Sequence, residues 1–259
     1  GLICYLPRCA AIIGWTGAPL LSASRSDAPV RLRNTSSSVG RLTVTEVIGR
    51  PSRSKSCGTK AAPSATAMAE VRERLAAASR PLVIAGGDGW TEPARAQLAQ
   101  FLEANDLPLV AGFRSQAILD NRHPHYCGDL SLGCNPAVAE RARNADLLLV
   151  IGDRLGDVTT QHYTVMDVPR PKQTLIHVYP GAEELGRVYH TDLAIVANGN
   201  AFVAALAQMP AVEASARAAW RSEARQVYER YRTPPASSLE MDMAQIVTHL
   251  RQALPDNAI

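Results

Sequence analysis

The sequence has no CxxC pair and no long uninterrupted apolar run. Its 259 residues include five cysteines, an odd number, and no two of them form a CxxC pair. This pattern argues against a disulfide framework and is typical of a reducing compartment, so we expect a cytoplasmic protein. The apolar run at residues 10–15 is too short to span a bilayer. The sequence therefore predicts no membrane association.

Negative charge is scarce in the first 60 residues. The whole chain has a formal net charge of +3, and residues 1–60 hold nine Lys or Arg against two acids, which gives +7 there and, by subtraction, −4 for the rest. A basic arm of this kind can bind nucleic acid. Here it lacks interleaved aromatic residues and a recognisable binding motif, so we expect no nucleic-acid partner.

Hydrophobic periodicity is missing up to about residue 62 and regular after it. Residues 18–62 are rich in Ser, Arg, Thr, Gly and Pro and show no sustained period of 3.6 or 2, so we predict an irregular, disordered segment over 1–62. From residue 65 the hydrophobic pattern becomes helical, because Met68, Val71 and Leu75 fall on one helical stripe. We predict a compact domain over 63–210 and a helical linker over 211–259.

Strands and helices alternate through the compact domain. Apolar runs predict strands at 81–85, 107–111, 146–152, 174–178 and 193–197, and an irregular stretch is predicted before the helix at 136. Helices are predicted over 92–104, 136–143, 201–208, 212–231 and 242–253. Such alternation indicates an α/β fold with a Rossmann-like, doubly wound parallel sheet, whose ligand crevice lies at the carboxyl ends of the strands.

Glycine and arginine follow three of the predicted strands. A strand-ending glycine lets the backbone approach a phosphate, and a guanidinium at the crevice suits a diphosphate. The alternatives are a simple tight turn for the glycines, which do not satisfy GxGxxG, and an exposed pair of Arg154 with Asp153 or Asp157. The candidate binding residues are Gly86, Gly87, Phe113, Arg114, Gly152 and Arg154.

No catalytic or metal-binding motif emerges. The string Gly-Asp-Gly at 87–89 lacks the later Asn pair of a magnesium-diphosphate motif, since Asn105 and Asn121 stand singly. No histidine has a paired nucleophile, and His177 is interpreted as a sheet residue with a satisfied hydrogen bond. Four possible zinc ligands lack a recognised spacing, which favours a plain loop. They are His123, His125, Cys127 and Cys134.

About half of the chain, residues 80–206, resembles the central domain of thiamine-diphosphate-dependent enzymes of the acetolactate-synthase type. The resemblance depends on four segments in order. They are RPLVIAGG (80–87), LPLVAGFRS (107–115), GDLSLGCNPAVAERARNADLLLVIGDRLGD (128–157) with TTQHYT after it, and IHVYPGAEELGRVYHTDLAIVANG (176–199).

The resemblance implies a three-domain enzyme that forms or cleaves carbon–carbon bonds of 2-oxo acids. Thiamine diphosphate and Mg²⁺ would be held mostly outside this chain, by an N-terminal pyrimidine-binding and a C-terminal diphosphate-binding domain, in a homo-oligomer. In some members the central domain holds FAD or ADP at positions that match the six candidate residues above. Where such chains often have an Asp after the fourth strand, this sequence has Tyr179.

Other interpretations remain open. The domain could be a free-standing adenine-nucleotide-binding module or a structural spacer without a ligand, and Tyr179 favours the spacer. We expect the chain to be a fragment that has no catalytic residue of its own. Residues 1–62, which match none of the family segments, are what out-of-frame translation of a GC-rich gene would yield.

Overall fold

The fold was analysed in a computed structural model that describes residues 61–212, 217–234 and 241–255. The chain divides into two units, residues 1–57 and 58–259, and the described residues all belong to the second. The predicted irregular segment 1–62 lies outside the described residues except for positions 61 and 62. Among the described residues, no helix is both long and apolar enough to cross a bilayer.

The second unit is built around a six-stranded, all-parallel sheet, which confirms the predicted fold class. Its order is β3-β2-β1-β4-β5-β6. The chain therefore starts in the middle of the sheet, builds outward to β3, and returns to place β4 on the other side of β1. The strands are β1 Pro81–Ala85, β2 Leu109–Ala111, β3 Tyr126–Asp129, β4 Leu147–Ile151, β5 Thr174–Tyr179 and β6 Leu193–Val196.

Helices cover both faces of this sheet, because alternate residues of each strand point to opposite sides. Val83 and Leu149 face one apolar core, packed against α1, α2 and α4, whereas Ile84 and Val150 face a second core, packed against α3 and α5. The helices are α1 Ala65–Ala77, α2 Glu92–Ala104, α3 Pro136–Asn144, α4 Gly199–Ala207, α5 Arg217–Arg232 and α6 Met243–Ala253. Double coverage explains why the β1 and β4 sequences are apolar throughout.

The predicted irregular stretch before residue 136 is wrong in one respect, because it contains β3. This strand pairs with β2 through Leu109 opposite Tyr126 and Ala111 opposite Asp129, with a register shift between them. A four-residue edge strand with a glycine carries no periodic signal, so only its pairing with β2 reveals it.

Several element boundaries also differ from the prediction, and hydrogen bonds accompany two of these differences. The second strand begins at Leu109 rather than 107, after Pro108, whose carbonyl accepts from the Val83 amide. The helix predicted over 212–231 is not helical at Val212, whose amide instead donates to Asn105 Oδ1 at 2.8 Å. Residues 213–216 lie outside the described residues, and α5 begins at Arg217.

Candidate functional site

The carboxyl ends of β1, β2 and β4 meet around one buried carboxylate, that of Asp153. Its side chain accepts from the Leu155 amide at 2.7 Å and from Thr159 Oγ1 at 3.2 Å. Burial raises the pKa of Asp153, and these two hydrogen bonds oppose that rise. Asp153 thus forms the floor of the crevice at the point where the strand order reverses, between β1 and β4.

The glycines at this point are required by the packing of the loops on one another. A Cβ on Gly86 would lie 2.5 Å from the Asp153 carboxylate, and one on Gly112 would lie 2.1 Å from it. Gly87 has φ +78°, and its Cβ would lie 2.4 Å from the Gly152 carbonyl oxygen. Gly152 has φ +74°, and its Cβ would lie 2.7 Å from the Gly86 carbonyl oxygen, so loop packing accounts for Gly86, Gly87 and Gly152 without a ligand.

The loop after β2 brings Phe113 and Arg114 to the same edge. The Phe113 amide donates to Thr159 Oγ1 at 3.4 Å, so Thr159 joins this loop to Asp153. Arg114 has φ +59° and places its guanidinium 5.0 Å from the centre of the Phe113 ring. The Arg114 side chain is exposed and available to an anion.

Arg154 forms its ion pair with Glu184 rather than with Asp153 or Asp157. Glu184 lies in the loop after β5, and its side chain is 9% exposed, whereas that of Arg154 is 60% exposed. Arg187 Nη1 approaches the same carboxylate at 3.2 Å. The hydrogen bond from Arg154, helped by Arg187, holds the pKa of Glu184 below its usual range. The neighbouring Glu183 carboxylate also acts on Arg154, so the two guanidinium groups are balanced by two carboxylates.

A cavity of about 460 Å³ opens beside this ion pair, between the loops after β4 and β5. Small-molecule sites usually measure about 300–1,000 Å³. Arg154, Gly156, Tyr163 and Glu184 are among its lining residues. Gly156 differs from the crevice glycines, because a Cβ on it would meet nothing within 4 Å and its φ is not positive. Internal packing therefore does not require a glycine at 156.

His177 and Tyr179 lie on β5 next to this cavity. His177 is buried, with Nε2 2.9 Å from the Asp153 carbonyl oxygen, which confirms its interpretation as a satisfied sheet residue. Burial lowers the pKa of His177, so the neutral ring donates this bond. Tyr179 is partly buried at the strand end, where burial raises its pKa and the charge of Arg154 lowers it.

His125 and Cys127, in the 123–134 stretch, form hydrogen bonds to backbone carbonyls. His125 Nδ1 contacts the Leu107 carbonyl oxygen at 2.9 Å, and Cys127 Sγ donates to the His125 carbonyl at 3.4 Å. Across residues 61–212, 217–234 and 241–255, no group of three or more His, Cys, Asp or Glu side chains is arranged to hold a metal ion.

The structure thus places the six predicted residues at one sheet edge, but only Arg154 among them lines the cavity. Sequence reasoning missed four other lining residues, Tyr163, Glu184, Arg187 and Tyr189. The available signal was their position in the loops after the predicted strands at 146–152 and 174–178. Neither the pairing of Glu184 with Arg154, 30 positions away, nor the free space at Gly156 has a local sequence signal.

Comparison with known proteins gives a consistent result. Residues 68–206, more than half of the chain, match the family described as thiamine pyrophosphate enzyme, central domain. The chain is 28% identical over 207 residues to acetolactate synthase isozyme 1 large subunit of Escherichia coli, covering 77% of this chain and 35% of that protein. It is 27% identical over 143 residues to acetolactate synthase of Mycobacterium avium, covering 54% of this chain and 22% of that protein.

A relative with another activity also matches. The chain is 28% identical over 116 residues to 3D-(3,5/4)-trihydroxycyclohexane-1,2-dione hydrolase of Bacillus velezensis, covering 45% of this chain and 18% of that protein. The chain therefore spans between about a fifth and a third of the length of these curated relatives.

Proposed function

The chain belongs to the family of thiamine pyrophosphate enzyme central domains, and from that premise we propose that it is the non-catalytic central domain of a 2-oxo acid decarboxylase or carboligase. The acetolactate synthases among its relatives support this choice of reaction. In such an enzyme thiamine diphosphate supplies the electron sink for breaking or forming the bond beside the 2-oxo group. In the part of the chain that the structure describes, no three His, Cys, Asp or Glu side chains are grouped so that they could hold a metal ion.

The wider setting of the domain follows from the same premise. The whole enzyme would bind thiamine diphosphate and Mg²⁺ through other domains and would assemble as a homo-oligomer. The two cysteines in the described residues, Cys127 and Cys134, are free, which suits a reducing cytoplasm.

We propose further that the cavity between the loops after β4 and β5 binds the ADP portion of an adenine nucleotide, either ADP itself or FAD. The observation that carries this proposal is the open cavity at the carboxyl edge, where Gly156 leaves a space that internal packing does not fill. Arg154 would bind the diphosphate, because its guanidinium is largely exposed although it is paired with Glu184. The Arg187 guanidinium beside the same carboxylate is 64% exposed and would offer an anion a second contact.

A structural spacer is the second candidate, and two observations favour it. Three of the six predicted residues are explained by loop packing, and the counterion of Arg154 is supplied by Glu184. In this alternative the cavity binds no nucleotide.

Calorimetric titration of the chain with ADP and with FAD distinguishes the two candidates. We expect saturable binding that is weakened at least about tenfold in Arg154→Ala, as for the loss of a charge-assisted contact. Arg170→Ala, an exposed arginine outside the cavity lining, is the control and should bind like the native chain. A folded chain that binds neither nucleotide would establish the spacer.

A further inference from the structure

The backbone beside the cavity contains an unusual turn at residues 161–163. Gln161, His162 and Tyr163 have φ values of 50°, 58° and 60°, so three consecutive residues other than glycine adopt the left-handed region. Residues with a Cβ rarely enter this region singly and very rarely in succession. A turn of this kind persists only where its surroundings hold it, and such turns cluster at ligand sites.

Hydrogen bonds on several sides hold this turn in place. The Gln161 side-chain amide donates to the Ser131 carbonyl at 3.2 Å and to the Val158 carbonyl at 3.0 Å. The Tyr163 amide donates to Thr160 Oγ1 at 3.1 Å, and the His162 ring contacts Asp157 at 3.0 Å. The strained conformation is therefore fixed by its neighbours and does not depend on burial of the Tyr163 ring.

This turn places an exposed aromatic ring at the cavity. Tyr163 is 41% exposed and lines the same cavity as Arg154. Its ring centre lies 6.4 Å from that of Tyr189, with 46° between the ring planes, and Tyr189 is buried. Tyr189 thus supports Tyr163 from the protein side, while part of the Tyr163 ring surface stays open.

We propose that Tyr163 is the platform on which the planar base of the bound ligand stacks. The inference rests on the proposed function and narrows it, because a cavity with both a guanidinium and an open aromatic ring suits a ligand with a flat heterocycle joined to an anionic group. A bare diphosphate would contact Arg154 and leave Tyr163 without a role. Tyr163 then contacts the base directly and makes the site specific for ligands that carry one.

The test measures affinity and stacking separately. ADP is titrated into the full chain and its Tyr163→Ala and Tyr163→Phe variants, and the fluorescence of 1,N6-ethenoadenosine diphosphate reports whether its base is stacked when bound. Tyr163→Ala should weaken ADP binding about tenfold or more and abolish the quenching at saturation, since base–aromatic stacking contributes about that much. Tyr163→Phe should preserve both. Tyr231→Ala, which removes a 58% exposed tyrosine on α5 outside the cavity lining, is the matched control.

Three results would overturn the inference, and they differ from one another. Native ADP affinity in Tyr163→Ala would show that the ring makes no contribution. Weakened binding with quenching retained at saturation would show that Tyr163 only shapes the cavity. No ADP binding by the native chain would overturn the proposed nucleotide site and this inference with it.

Discussion

Asp153 is the residue whose ionisation should affect stability most clearly. Burial raises its pKa above the ordinary value of about 3.9, so the folded state favours the protonated form. The contribution of Asp153 to the free energy of unfolding is therefore largest below the unfolded-state pKa and is lost as pH rises through the folded-state pKa. Asp153→Asn removes this titration while keeping an acceptor for the Leu155 amide. We expect the free energy of unfolding of the variant, relative to native, to increase from about pH 4 to pH 7.

Urea denaturation at several pH values checks this expectation. Asp167→Asn, an exposed carboxylate in the same long loop, serves as the control and should follow the native pH profile. If the free energies of unfolding of Asp153→Asn and the native chain differed by the same amount at every pH, ionisation of Asp153 would not destabilise the folded state.

Two glycines at the sheet edge should respond differently to alanine. Gly87→Ala places a Cβ 2.4 Å from the Gly152 carbonyl at a positive φ, so we expect a loss of about 2–4 kcal/mol in the free energy of unfolding. Gly156→Ala meets nothing within 4 Å and should change stability by less than about 0.5 kcal/mol. Chemical denaturation measures both, and equal losses would contradict the packing described for these loops.

At this scale the sequence allowed the position of the site to be predicted but not its contacts. Gly86, Gly152 and Arg154 follow strongly apolar runs, so their place at the carboxyl edge followed from the predicted sheet. That Arg154 pairs with Glu184 depends on how two loops meet in the folded domain.

At the scale of elements, the buried strands could be predicted and the edge strand could not. β1 and β4 are apolar on both faces, and that signal is local. β3 consists of Tyr, Cys, Gly and Asp, and it becomes a strand only by pairing with β2. Likewise, Arg217 of α5 is buried against α1, and this contact has no counterpart in local periodicity.

The packing of α5 on α1 provides a prediction at this scale. Arg217 is 2% exposed and donates to the carbonyls of Leu75 and Ala78, at the end of α1. Arg217→Ala removes these charge-assisted bonds and leaves a void, so we expect a loss of about 2–4 kcal/mol in the free energy of unfolding. Arg230→Ala, on the exposed face of the same helix, should cost less than about 0.5 kcal/mol. Similar urea midpoints for the two variants would show that the hydrogen bonds from Arg217 to the end of α1 do not stabilise the fold.

At the scale of the whole molecule, α6 is the least integrated of the described helices. None of its residues is buried, and Met243, Ile246, Val247 and Leu250 form an exposed apolar stripe. Such a stripe promotes association in water. We expect Leu250→Lys to weaken concentration-dependent self-association about fivefold or more, which sedimentation equilibrium measures. Gln252→Lys adds the same charge at an exposed position beside it and should have no such effect. If both variants weakened self-association equally, the added charge and not the apolar stripe would be responsible.

The proposed nucleotide site depends most on the space beside Gly156. The most direct measurement is calorimetric titration of Gly156→Leu with ADP, alongside its thermal unfolding midpoint. We expect a native midpoint, because nothing lies within 4 Å of the added Cβ, together with loss of ADP binding, because the larger side chain projects from the cavity lining. Native ADP affinity in a folded Gly156→Leu chain would contradict the claim and place the nucleotide elsewhere.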